Sequence, residues 1–146
     1  MRFQGQTDIP LDDVGLAQAE RAAAMLASLQ PSIIVSSDLM RAHQTASALA
    51  RLARVEVATD TRLRETFAGE WEGLTRDVLE SQYGSELAAW SAFSDVRPGG
   101  HGETRIEVAD RMEAAVRDGL VGLEPGQTMV VATHGGAART AIGRLL

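Results

Sequence analysis

The stretch Met129-Val130-Val131-Ala132-Thr133-His134-Gly135-Gly136 decides how this chain is read. Its four leading apolar residues suit a buried strand, and Ala137 to Leu146 reads as a helix. A histidine therefore stands where a strand hands over to a helix. In open α/β sheets that carboxyl edge is where ligands bind. The two glycines let backbone N–H groups come close to an anion, and a helix start adds partial positive charge. A plain strand–turn–helix junction with a chance histidine is the other reading of the same residues.

Working outward, Asp12 or Asp13 caps a helix running to about Leu29, with Ala22, Met25, Leu26 and Leu29 on one face. Ile33-Ile34-Val35 is a second buried strand. Ser36-Ser37-Asp38 then offers turn and capping side chains to a helix from Leu39 to about Ala53. Val55-Glu56-Val57 is a brief strand, and residues 59–74 form a structured loop. Helical pieces follow around Arg76 to Gln82 and Glu86 to Phe93. Thr104-Arg105-Ile106-Glu107 fits a capping box, opening a helix through Val108, Met112, Val116 and Leu120. Helices alternating with apolar strands predict a three-layer α/β fold, a mostly parallel sheet flanked by helices, in a single domain over residues 1–146.

Composition narrows the function. A net charge of −6 argues against nucleic acid or an anionic membrane as the main partner, though a local arginine cluster can still take a small anion. With no cysteine there is no disulfide and no thiolate nucleophile, which a reducing cytoplasm would suit. No apolar run approaches the roughly 18 residues of a membrane span. The three histidines lack metal-ligand spacing, so neither metal nor cofactor is expected.

Four further residues are candidates beside His134. Arg41 lies one turn into the helix after Ile33-Ile34-Val35, and its planar fork suits phosphate oxygens. Glu65 sits in the loop after the brief strand, where a bound dianion would favour its neutral, proton-donating form. Gln4 and Gly5 lie in an N-terminal loop that can supply neutral donors. Each has a plainer reading: Arg41 as a solvated helix charge, Glu65 as a surface carboxylate. His43 and His101 read as surface residues, and Trp71 and Trp90 as packing. Arg62, Arg64 and Arg97 are candidates for a second anionic group, against the plainer reading of exposed charges.

The strings Ser36-Ser37-Asp38-Leu39-Met40-Arg41-Ala42, Leu63-Arg64-Glu65, Gly69-Glu70-Trp71-Glu72-Gly73, Pro98-Gly99-Gly100 and Thr133-His134-Gly135-Gly136, in this order, resemble the histidine phosphatase superfamily, also called phosphoglycerate-mutase-like. Arg2-Phe3-Gln4-Gly5 is similar to the loop that follows the family's first motif. The resemblance covers essentially the whole chain. It implies hydrolysis of a small phosphorylated metabolite through a phosphohistidine. It implies that His134 and Arg41 hold the phosphoryl oxygens, with Glu65 as proton donor. Gly135 would add a backbone N–H donor, and Gln4 and Gly5 would line the substrate mouth. Glucosyl-3-phosphoglycerate and broad-specificity sugar phosphatases are the nearest branches by these strings. A cofactor-dependent phosphoglycerate mutase is the alternative, although the stretch from Glu65 to Gly99 is short for the capping insertion mutases carry.

The resemblance departs at one place. The family's Arg-His-Gly motif, which carries the nucleophilic histidine, is absent, and the chain reads as trimmed at both ends. Upstream residues, a misplaced start and a non-catalytic phospho-ligand or protein-binding fragment all fit. An intact mass above 15.6 kDa would favour the first. Oligomeric state stays open, with a homo-oligomer among the options.

Overall fold

Apolar side chains alternate along the two longer strands, and this alternation builds the layers. The computed structural model describes residues 2–92 and 94–145. The expected helix ends at Phe93 and Leu146 lie outside the described residues. Strand β1 (Ile33–Ser36) is central, paired in parallel with β2 (Val57–Thr59) on one side and β3 (Met129–Ala132) on the other. Ile34 pairs with Val57 and with Val130 across the two ladders. Ile34, Val130 and Ala132 pack against helices α1 (Asp13–Leu26) and α2 (Met40–Ala53). Val35 and Val131 point the other way, onto α4 (Arg105–Leu120) and α5 (Gly135–Leu145). Period-two alternation thus makes a sheet covered by helices on both faces. Helix α3 (Arg76–Ser91) belongs to a separate aromatic cluster, in which Trp71 and Leu79 are fully buried beside Phe3, Tyr83 and Trp90.

Several elements differ from expectation for local physical reasons. Helix α1 turns Ala19 and Ala23 inward, whereas Met25 is 77% and Leu29 52% exposed. Small alanines let α1 approach α2 closely, and the larger residues cannot occupy that gap. The chain tightens into a 3₁₀ turn at Ala27–Leu29, ending on Gln30 in the left-handed region. Ser37 Oγ accepts the Leu39 N–H at 3.3 Å, the expected turn contact, but none of Ser36, Ser37 and Asp38 caps α2 itself. The Met40 N–H instead donates to Asp8 Oδ1 at 2.7 Å, a partner 32 residues upstream. β2 starts two residues late, because Arg54 closes α2 at φ 58°. The two pieces of α3 are one helix kinked at Tyr83 (φ −129°, ψ 26°). The capping box at Thr104 and Glu107 forms as expected.

Among the described residues, no helix is long and apolar enough to cross a membrane.

Candidate active site

The carboxyl ends of the three parallel strands deliver His134, Ser37 and, through a 3₁₀ turn at Thr61–Leu63, Glu65 to one edge of the sheet. There a cleft of about 990 Å³ is lined by Gln4, Gly5, Arg41, Glu65, Trp90, His134, Gly135 and Gly136. All six expected site residues therefore border one space. His43 and His101 do not: His43 lies beside Ser47, 3.4 Å from its hydroxyl, and His101 packs edge-on against Phe67 in an exposed turn.

His134 is 8% exposed, and its Nε2 lies 2.9 Å from Ser37 Oγ. Burial pushes its pKa down to about 4, and the Arg41 guanidinium adds to the depression against the opposing pull of Glu65. The imidazole is therefore neutral at pH 7, with one ring nitrogen able to donate. Its carbonyl accepts the Ala138 N–H at 2.9 Å, so α5 opens at Gly135, two residues earlier than its apolar pattern suggests.

Glu65 closes the same helix end. Its Oε2 accepts the Gly136 N–H at 2.9 Å, and Oε1 accepts those of Ala137 and Thr66 at 2.8 Å each. A carboxylate placed on the positive end of a helix is favourable. Oε2 has a single partner, so it is the oxygen with room for a proton. Gly136 makes the approach possible, since a Cβ there would sit 2.6 Å from Oε1. We expect Gly136→Ala to displace the carboxylate with little net change in stability. Lost capping costs about 1 kcal/mol, and alanine returns roughly the same in helix propensity. The Ala137 amide proton, followed by NMR, should move upfield while the melting temperature stays nearly constant. An unmoved amide would contradict this placement.

Arg41 ties the N-terminal loop to the site. Its Nη1 and Nη2 donate to the carbonyls of Thr7 and Gly5, both at 2.8 Å. Three of its five N–H groups remain for an anion in the cleft. Gly5 offers its carbonyl to Arg41 and is buried at φ +52°, a backbone conformation glycine tolerates. Glu72 holds the same loop from the other side, accepting the Gln6 N–H at 2.8 Å and the Thr7 hydroxyl at 3.1 Å.

The arginines suggested for a second anion are engaged elsewhere. Arg62 pairs with Asp60 and Asp118, Arg64 with Asp38, and Arg97 with Glu107. The Arg64–Asp38 pair is bidentate, at 2.8 and 2.5 Å, and holds the Asp38 carboxyl below its ordinary range. Sequence reasoning missed Glu103 and Arg111, which bind the backbone beneath Glu65. Their spacing of eight on and before one helix carries no local signal.

The family model described as "Histidine phosphatase superfamily (branch 1)" matches residues 1–146. A glucosyl-3-phosphoglycerate phosphatase of Mycobacterium tuberculosis (strain CDC 1551 / Oshkosh) is 40% identical over 143 residues, covering 92% of this chain and 63% of the relative. A probable phosphoglycerate mutase of Proteus mirabilis (strain HI4320) is 38% identical, covering 92% of this chain and 62% of the relative. A solved mycobacterial glucosyl-3-phosphoglycerate phosphatase, in complex with VO3, superposes with a TM-score of 0.91 at 38% identity, covering 99% of this chain and 72% of that one. The chain thus spans under two thirds of the length of these curated relatives.

Proposed function

This chain belongs to the histidine phosphatase superfamily, and from that premise we propose that its cleft seats the phosphoryl group of a small phosphorylated metabolite for hydrolysis. The observation that carries the reading is the convergence of His134, Arg41 and Glu65 on one cleft from three separate segments. Neutral His134 and the open N–H groups of Arg41 donate to phosphoryl oxygens. The Gly135 N–H, at the first turn of α5, adds a third donor type, and Gln4 lines the mouth. As a histidine nucleophile bonds to phosphorus and the ester P–O bond breaks, Glu65 passes a proton from Oε2 to the leaving oxygen, and it later takes a proton from the water that displaces the histidine and frees phosphate. Phosphoryl transfer asks mainly for such positioning and charge stabilisation. The attacking group is assigned to neither His43 nor His101, which lie outside the cleft.

Glucosyl-3-phosphoglycerate is the first substrate to test, since relatives carry that name. Hydrolysis is favoured over isomerisation because the stretch from Glu65 to Gly99 is short for the capping insertion by which a mutase keeps water out. Two measurements test the proposal. Inorganic phosphate and orthovanadate should each bind once per chain, and His134→Ala should weaken both by about 100-fold, the size of one or two charge-assisted hydrogen bonds. In a chain extended through an Arg-His-Gly histidine, glucosyl-3-phosphoglycerate should release free phosphate. Isomerisation of 3-phosphoglycerate, or binding indifferent to His134, would overturn the proposal.

A further inference from the structure

Arg111 has five N–H groups, and all five are used beneath the acid loop. Nε donates to Glu103 Oε1 at 2.7 Å. Nη1 donates to the carbonyls of Arg62 and Arg64 at 2.6 and 2.7 Å. Nη2 donates to the Glu65 carbonyl at 3.0 Å and to Glu103 Oε2 at 2.8 Å. The pair is well covered, with side chains 16% and 23% exposed. Glu103 Oε2 also accepts the Phe67 N–H at 2.8 Å, and Gln6 Nε2 reaches the Glu65 carbonyl at 3.1 Å. The main chain on both sides of Glu65 is therefore held from below, while its carboxylate is held from the side by α5. Neither Arg111 nor Glu103 borders the cleft.

We propose that Arg111, clamped by Glu103, is a positioning residue that sets where the Glu65 carboxylate meets the first turn of α5. Its importance for turnover rests on the reading of Glu65 as the proton donor; its effect on Glu65 does not. Only a guanidinium can serve. Lysine offers three donors from one point and cannot reach three carbonyls and a carboxylate in a fixed fork.

The test uses Arg111→Lys and Glu103→Gln, with Glu65→Ala as the reference for complete loss of the contact. In ¹⁵N spectra the Gly136 and Ala137 amides report the carboxylate directly, and a change confined to global stability would leave them in place. In Arg111→Lys both amides should move most of the way to their Glu65→Ala positions, and Glu103→Gln should move them part of the way. Wild-type positions in folded Arg111→Lys would overturn the proposal. Should that variant not fold, Glu103→Gln, which keeps an acceptor oxygen, decides in the same manner. Inorganic phosphate is titrated into the wild-type chain in parallel. Its failure to bind would count against the phosphatase reading and leave the amide result standing.

Discussion

Lowering the pH from 7 to 4.5 is expected to cost the folded chain roughly 2–3 kcal/mol through His134 alone, given 1.36 kcal/mol per pKa unit. The folded pKa of about 4 lies below the ordinary value of 6.5. Between these values the unfolded chain binds a proton that the folded chain refuses, so stability rises with pH across that window. The contribution is complete above pH 6.5 and disappears as pH falls toward 4. The depressed carboxylates Asp38, Asp60, Glu107 and Glu113 act the same way but lower, from their ordinary values of 3.8 or 4.5 downward. Denaturant melts at half-unit pH steps from 7 to 4.5 would show the slope. His134→Asn, which cannot titrate, should flatten it. An equal slope in that variant would place the effect elsewhere.

Arg41→Ala is expected both to weaken inorganic phosphate binding by about 100-fold or more and to loosen the N-terminal loop at Gly5. The first effect follows from losing an arginine fork on a dianion, worth on the order of 3 kcal/mol. The second follows from losing the two donors on Gly5 and Thr7. The Glu72 carboxylate on Gln6 and Thr7, the Asp8 cap on Met40 and the Gln44 side chain on the Leu11 N–H would remain, so the loosening should be confined to the chain at Gly5. Limited proteolysis would read this as faster cleavage before Thr7, with the rest of the chain unchanged. Arg41→Lys should restore part of the phosphate affinity but not the protection, because a single ammonium lacks the fork. Unchanged affinity in Arg41→Ala would remove the residue from the site.

Legibility in the sequence depends on range. Both longer strands and the helix starting at Arg105 are readable because periodicity and the Thr104–Glu107 box are local. His134, Arg41 and Glu65 are readable because each stands just beyond a strand or early in the following helix. Helix α1 misleads, because the hydrophobic surface it shows to α2 is made of Ala19 and Ala23 rather than its largest apolar residues. The Asp8 cap, the Glu65 cap on α5 and the Arg111 clamp are invisible for a common reason. Each joins residues 32 or more positions apart, and nothing nearby in the chain marks a carboxylate or a guanidinium for bonding to a distant backbone. The two glycines at the start of α5 do permit a close approach, but the group that comes up against Gly136 is Glu65.

Titration of the isotope-labelled chain with inorganic phosphate, followed residue by residue in NMR spectra, bears most directly on the claim that one anion is shared by three separate segments. The His134 ring, the Arg41 side-chain N–H groups and the Glu65 carboxyl carbon should shift together along one binding curve. Shifts confined to Arg97 or Arg117, which lie outside the cleft, would contradict it.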